Sequence, residues 1–226
     1  AGQGQRVLKP MTDRTTARRS HWSHRGFTPI ELMVVLVMIG VLLVTLAPSM
    51  TEWLRNLQVR SAAESISTGL QKARAEAVRR NQNVYFSLVT NPTNPTNEPG
   101  QLTSACALSS TNASWVVSLA SPAGKCEQAA GGSAAPQILD KQAKGNGFPD
   151  VTVQVKTERC AATASSTQVM FNSLGSPANA SPIRCIEITH PTSPSVKLQV
   201  RIDAGGGVRS CIHGLRSDDA RACPAS

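Results

Sequence analysis

Aromatic side chains are scarce in this sequence. Phe, Trp and Tyr together make up 4% of the 226 residues, and Tyr occurs once. Dedicated binders of single-stranded nucleic acid stack successive bases on aromatic rings. The composition therefore argues against a protein of that class.

Histidines and catalytic motifs are also sparse. Of the four histidines, His21 and His24 lie near the amino terminus, and His190 and His213 belong to no nucleophile, metal or phosphate-loop motif. The cysteines form no CxxC pair of the kind that structural zinc sites use. We expect no enzymatic activity, no metal site and no cofactor.

Charge is almost absent from one long apolar segment, residues 30–47, in which Glu31 is the only charged residue. With its flanks the segment approaches the roughly 20 residues needed to cross a bilayer core. Residues 1–26 contain six Lys or Arg against one acid, which predicts a cytoplasmic amino terminus and an exported remainder. Two alternatives stay open: a secretory signal with Thr45-Leu46-Ala47 as its cleavage site, and a plain anchor whose Glu31 reaches the membrane interface.

The next segment changes from uniformly apolar to amphipathic. Apolar residues recur there at spacings of three or four, which predicts one narrow stripe along a helix that runs from Phe27 to about Gln82. The alanines of this stripe, together with Gly69 beside it, would let a sheet approach the helix axis closely. The stripe consists of Val59, Ala62, Ile66, Leu70, Ala73 and Ala77.

Beyond Asn83 the pattern is that of an almost pure β domain of two small packed sheets. Short apolar or alternating segments are separated by Gly, Pro, Asn and Ser, and the segments 91–100 and 129–136 are expected to be loops. The predicted strands are 84–89, 114–119, 151–156, 168–172, 186–189, 196–202 and 207–211. The fold class is therefore α+β, with a long amino-terminal helix, transmembrane in its first half, packed on a carboxy-terminal β domain.

The sequence RGFTPIELMVVLVMIGVLLVTLAPSM, which begins at Arg25, resembles the leader and first helix of type IV pilins and type II secretion pseudopilins. The resemblance implies that prepilin peptidase cleaves between Gly26 and Phe27, and that the new amine of Phe27 is methylated. It also implies a single-pass protein of the bacterial inner membrane with a periplasmic domain, which then enters a fibre through Glu31. The implied partners are a major pilin, other minor pilins and an inner-membrane platform protein.

A second resemblance covers the end of the helix and narrows the family to GspH/FimT-type pseudopilins. The matching residues are Ala73, Arg74, Glu76, Ala77, Arg79, Arg80, Asn81 and Val84, and the last strands and the tail are similar as well. We expect a cleaved basic leader at 1–26, the transmembrane and filament-core half of the helix at 27–53, and a periplasmic head domain at 54–226. Met11 is an alternative start of translation.

All six cysteines lie in the predicted exported part, which indicates three disulfides formed in an oxidising compartment. Six cysteines allow 15 pairings, and the sequence does not choose among them. We expect neighbours to pair, and the family resemblance supports the last pair. The expected pairs are Cys106 with Cys126, Cys160 with Cys185, and Cys211 with Cys223.

The carboxy-terminal tail contains the candidate residues for DNA binding. Without residues 1–26 the chain has 17 basic and 13 acidic residues, a net charge of +4, so most of the basic excess belongs to the leader. Some FimT-type proteins bind DNA through a Gly-Arg-x-Arg element at the final hairpin. Here Arg209 matches the second arginine of that element and Gly207 replaces the first, while Arg216 and Arg221 are further cations of the tail.

The sequence thus predicts a minor pilin or pseudopilin that primes or joins a type IV pilus. Three alternatives remain: a pseudopilin of a type II secretion fibre, a DNA-binding minor pilin for natural transformation, and a membrane-anchored periplasmic binding module that never polymerises.

Overall fold

The computed structural model describes residues 27–92 and 100–224. The predicted leader, with Gly26, and most of the predicted loop at 91–100 lie outside the described residues. The chain divides into two compact units between Leu46 and Ala47. The domain boundaries expected from the sequence, at 26/27 and 53/54, stay predictions.

Helix α1 runs from Pro29 to Arg80, two residues shorter at each end than the sequence suggested. Its start is set by Thr28, whose Oγ1 accepts a hydrogen bond from the Glu31 amide at 3.3 Å, as in an N-cap. Pro29 then occupies the first helical position, where no amide donor is needed. At the other end Asn81 adopts a left-handed conformation with φ of 52°. The Gln82 amide donates to the Ala77 carbonyl, which completes a Schellman-type cap.

The first unit contains the apolar start of α1. Large hydrophobic side chains from Phe27 to Val44 are 45% to 79% exposed, so this segment has no core of its own. No single helix in the described part of the chain passes a length and hydropathy test for a membrane span. Two consecutive parts of α1, Pro29–Val44 and Ser49–Arg80, are long and apolar enough for a membrane span only when they are taken together.

The second unit contains two antiparallel sheets in the described residues. The first consists of β1 (Val84–Thr90), β2 (Ala107–Leu108), β3 (Ser114–Ser118), β4 (Ile138–Gln142) and β6 (Gln168–Phe171). The second consists of β5 (Thr152–Lys156), β7 (Cys185–His190), β8 (Ser193–Ile202) and β9 (Val208–Ile212), in the order β5-β7-β8-β9. In the first sheet β3 lies between β1 and β4, and both β2 and β6 pair with β1. The predicted α+β class with two small sheets is confirmed.

The main core joins α1 to both sheets in one cluster of buried residues. All six residues of the predicted helix stripe are fully buried. The sheet approaches α1 most closely at Gly69, where an added Cβ would lie 2.9 Å from the Phe86 ring and 3.0 Å from the Trp115 ring. These two rings stack with centroids 5.8 Å apart, and the Trp115 indole donates to the Ser65 hydroxyl at 3.0 Å. Small residues therefore set the distance between helix and sheet, as the sequence suggested.

The structure contains three disulfides, and each is a pair that the sequence analysis favoured. They join Cys106 to Cys126, Cys160 to Cys185, and Cys211 to Cys223. The first of these belongs to a second, smaller core that also contains Val116 and Ile138.

Two strands were absent from the prediction. Strand β2 has only two residues, too few for a sequence pattern. Strand β4 reads Ile-Leu-Asp-Lys-Gln, and its polar residues find partners elsewhere in the fold. Asp140 forms an ion pair with Lys72 at 2.8 Å, and Lys141 donates to the Cys126 and Gln128 carbonyls at 2.7 and 2.8 Å.

We expect Gly69→Ala to destabilise the head domain by about 1 kcal/mol. A helical Gly→Ala change alone would stabilise by roughly 1 kcal/mol, but overpacking a core costs typically about 1–3 kcal/mol. Urea unfolding of residues 54–226, which retain the whole core, measures the difference. The neighbouring exposed Thr68→Ala is the control and should change stability by less than about 0.5 kcal/mol. A Gly69→Ala variant more stable than the wild type would contradict the proposed close contact.

Candidate functional site

The predicted assembly residue lies at the beginning of α1. Glu31 occupies the third helical position and is exposed in the isolated chain, as is Phe27 with 79% of its surface. The side chains that follow are apolar on every side of the helix. A carboxylate at the amino-terminal end of a helix interacts favourably with the helix dipole.

The motif at the end of α1 connects the helix to both sheets. Arg74 Nε donates to the Gly175 carbonyl at 3.1 Å, and Arg74 Nη2 donates to the Gly205 carbonyl at 3.2 Å. Gly175 lies in the turn after β6 of the first sheet, and Gly205 lies in the β8–β9 turn of the second. A single guanidinium group thus fixes the position of two turns relative to the helix.

The same motif contains a cluster of three charged groups. The Glu76 carboxylate accepts hydrogen bonds from Arg79 Nη2 and from Arg80 Nε, each at 2.6 Å. These hydrogen bonds, from Arg79 first and then Arg80, lower the pKa of Glu76 to about 2. Both arginines also lie in the last turn of α1, where cations interact favourably with the helix dipole.

Gly207, which stands where the FimT-type element has an arginine, lies in the β8–β9 turn beside Asp203. Asp203 Oδ1 accepts a hydrogen bond from the Gly207 amide at 2.7 Å, and an added Cβ at Gly207 would overlap the Asp203 carboxylate. Gly206 has φ of 79°, and an added Cβ there would overlap the Gly175 carbonyl. A side chain at position 207 would therefore displace the Asp203 carboxylate from its hydrogen bond with the amide of residue 207, whereas one at position 206 would clash with backbone.

A cleft of about 510 Å³ lies beside this turn. We call it the arginine cleft, and its lining includes Glu158, Arg184, Arg201, Asp203, Arg209, Cys211, Ala220, Ala222 and Pro224. Its floor is the outer face of the second sheet, since Val200 on the other face of β8 is buried in the core.

Two disulfides hold the walls of the arginine cleft. Cys185 lies directly opposite Arg201 across the β7–β8 pair, and its bond to Cys160 fixes the turn that carries Glu158. Cys211 lines the cleft, and its bond to Cys223 fixes the tail.

The three arginines proposed for DNA binding differ in their surroundings. Arg209 lines the arginine cleft, whereas Arg221 lines another cleft together with Arg60 and Glu64. Arg221 also forms an ion pair with Asp219 at 2.8 Å. The hydrogen bond from Arg221 lowers the pKa of Asp219 to about 2. Arg216 is exposed in the tail.

A family model described as type II transport protein GspH matches residues 62–206, which is more than half of the chain. The chain belongs to the GspH family. No curated protein matches it. Two crystal structures of the type IV minor pilin FimU of Pseudomonas aeruginosa are similar to it at 16% and 17% identity, with TM-scores of 0.39 and 0.40. Each similarity covers 67% of this chain, and 90% and 86% of the respective FimU chains.

The sequence of this GspH-family protein did not single out two residues of the arginine cleft, Arg184 and Arg201, as site residues. Neither belongs to a motif, and only the strand register brings them beside Arg209. Arg201 is the cross-strand partner of both Arg209 and Cys185, and Arg184 precedes Cys185. An alternation argument could place Arg201 on the outer face of β8, but it could not identify the opposite residue.

We expect Glu76→Gln to lower the free energy of unfolding by about 1 kcal/mol near neutral pH, the upper end for partly exposed ion pairs. The folded-state pKa of Glu76 lies below its ordinary 4.5. The stabilisation is therefore complete above pH 4.5 and is lost as pH falls toward about 2. Urea unfolding across this pH range should show that the difference in the free energy of unfolding between variant and wild type disappears as the pH falls.

The matched control is Glu64→Gln, which removes an exposed carboxylate of the same helix that forms no ion pair with the described residues. It should show no comparable gap. A Glu76→Gln difference that persists unchanged at the acid end would contradict the ionic origin of the effect.

Proposed function

We propose that this chain is a minor pilin or pseudopilin that is incorporated into, or primes, a type IV pilus fibre. In this proposal it is made as a membrane-inserted precursor, cleaved by prepilin peptidase between Gly26 and Phe27, and methylated on Phe27. The helix then leaves the bilayer and packs against the helices of a major pilin and other minor pilins on an inner-membrane platform protein. Membership of the GspH family supports a pilin or pseudopilin role.

The observation that carries the proposal is the exposed apolar start of α1. The large side chains between Ile30 and Val44 have no partners in a core and stay 45% or more exposed. An extended apolar surface of this kind marks a region that binds a membrane or other proteins. The bilayer covers this apolar surface in the precursor, and neighbouring helices would cover it in a fibre.

Glu31 gives this apolar segment a means of setting register. After cleavage the α-amino group of Phe27 is a cation, and a neighbouring Glu31 would offset the cost of removing it from water. At about 4 Å and an effective dielectric constant near 20 the attraction is about 4 kcal/mol. The net gain is smaller, because both charges lose water. The pair would therefore select one axial position for each incoming subunit.

The described residues do not separate a type IV pilus from a type II secretion fibre, and the matching family model is itself described as a type II transport protein. A pseudopilin of a type II secretion fibre would use the same helix α1, with the same residues at its ends. A binding module that never polymerises would leave the role of Glu31 unexplained. For DNA uptake, Arg221 is already paired with Asp219 and position 207 carries no cation.

The processing step predicts a defined mature terminus. Mass spectrometry of the protein from membranes of a host with prepilin peptidase should find Phe27, bearing one methyl group, as the first residue. A Gly26→Val variant should keep residues 1–26, because a branched side chain would stand at the cleavage site. The control is Gly40→Ala, where an added Cβ meets nothing within 4 Å. A wild-type protein cut near Ala47 would instead establish a secretory signal.

Glu31→Ala should reduce the amount of this protein in sheared fibres at least about tenfold, since a register interaction worth more than about 1.4 kcal/mol is lost. The level in the inner membrane should stay the same. The control is Glu52→Ala, which removes another exposed carboxylate of α1. Quantitative immunoblots of fibre and membrane fractions measure both. Equal incorporation of the two variants would exclude the role proposed for Glu31.

A further inference from the structure

The arginine cleft brings three guanidinium groups into one small concavity. Arg201 and Arg209 are direct cross-strand partners on the outer face of the second sheet, and Arg184 lines the same cleft. Directly opposed residues in an antiparallel pair have Cβ atoms about 5 Å apart, and like charges in such a pair are destabilising. A bound anion would remove this repulsion.

The two acidic residues of the cleft, Glu158 and Asp203, form no ion pair with these arginines among the described residues. Asp203 uses Oδ1 to accept the Gly207 amide at 2.7 Å, and Arg184 donates to the Asp203 backbone carbonyl at 3.0 Å. Within residues 27–92 and 100–224, no ion pair joins Arg201 or Arg209 to a carboxylate. The other cation on this row of the sheet, Lys156, is engaged with Glu187 at 3.8 Å.

The guanidinium group of Arg201 lacks a hydrogen-bond acceptor for one of its nitrogen atoms. Its Nε is buried and has no hydrogen-bond partner among the described residues. A buried donor on a charged group that makes no hydrogen bond is costly, and such groups in native proteins call for an explanation. Because this atom is buried, a ligand in the cleft would accept from it only after the guanidinium group turns toward the opening of the cleft.

We propose that the arginine cleft binds a carboxylate group carried by an acidic segment of a protein partner. The planar fork of a guanidinium group matches a carboxylate with two parallel hydrogen bonds. The volume of about 510 Å³ is suited to one side chain and its neighbours. This inference does not depend on fibre assembly, because the cleft lies wholly within the head domain.

The charge balance of the cleft favours a single carboxylate over a polyanion. Three arginines against Glu158 and Asp203 leave a net charge of +1. Duplex DNA carries a negative charge about every 1.7 Å along its axis, which would bring further phosphates against these two acids. The lining residues include no aromatic ring on which a base could stack.

The cleft is also preformed. The Cys160–Cys185 and Cys211–Cys223 disulfides fix both walls before any ligand arrives. Binding therefore does not have to order a flexible loop, which removes one of the usual costs of recognition.

The test is a titration of the full chain in detergent micelles, with isotope-labelled arginine side chains followed by NMR. The probe is the blocked tripeptide acetyl-Gly-Glu-Gly-amide, and its isostere with Gln in place of Glu is the matched control. We expect the Nε–Hε signals of Arg201 and Arg209 to shift saturably with the Glu peptide and to stay in place with the Gln peptide.

Variants test whether the Glu peptide binds in the arginine cleft. Arg209→Gln should weaken the Glu peptide at least about tenfold, the effect of losing one charge-assisted hydrogen bond. Arg216→Gln, an exposed arginine of the tail, should leave it unchanged. Arg209→Lys keeps the charge without the fork and should give an intermediate affinity. If the NMR spectrum shows that Arg209→Gln does not fold, Arg209→Lys takes its place in the titration.

Three results would overturn the proposal. The first is no shift with either peptide, and the second is an equal response to both. The third is displacement of the Glu peptide by a short DNA duplex at a lower concentration than the peptide itself, which would assign the cleft to nucleic acid.

Discussion

The close approach of the first sheet to α1 is the constraint on which the rest of the head domain depends. Three of the six residues of the helix stripe are alanines, and Gly69 faces two stacked aromatic rings. Because the helix presents so little side-chain volume there, Phe86 and Trp115 can lie almost on its backbone. That position orients β1 and β3, to which every other strand of the first sheet is paired.

Much of this arrangement could be predicted from the sequence, because it depends on local patterns. The buried stripe follows from helical spacing, seven of the strands follow from apolar segments bounded by turn residues, and the disulfides join neighbouring cysteines. The ends of α1 follow from Thr28 and Asn81 only once their backbone geometry is known, and the sequence estimate was two residues too long at each end.

The arginine cleft and β4 depend instead on partners that are distant in the chain. The polar residues of β4 are stabilised by Lys72 and by carbonyls of the preceding loop. Arg201 meets Arg209 only because of the β8–β9 register, and Arg184 joins them because β7 pairs with β8. A single sequence carries no information on strand register. Apart from their charge, nothing in the sequence marks these residues as members of one site.

The cysteines all lie beyond α1, so no covalent cross-link joins the helix to either sheet. A pulling force applied along α1 would therefore reach the head domain only through buried apolar contacts and hydrogen bonds, foremost the two from Arg74 to turns of different sheets. Disulfides would protect the outer loops and the tail from extension, while the mechanical limit of the molecule would be set where the helix detaches from the sheets.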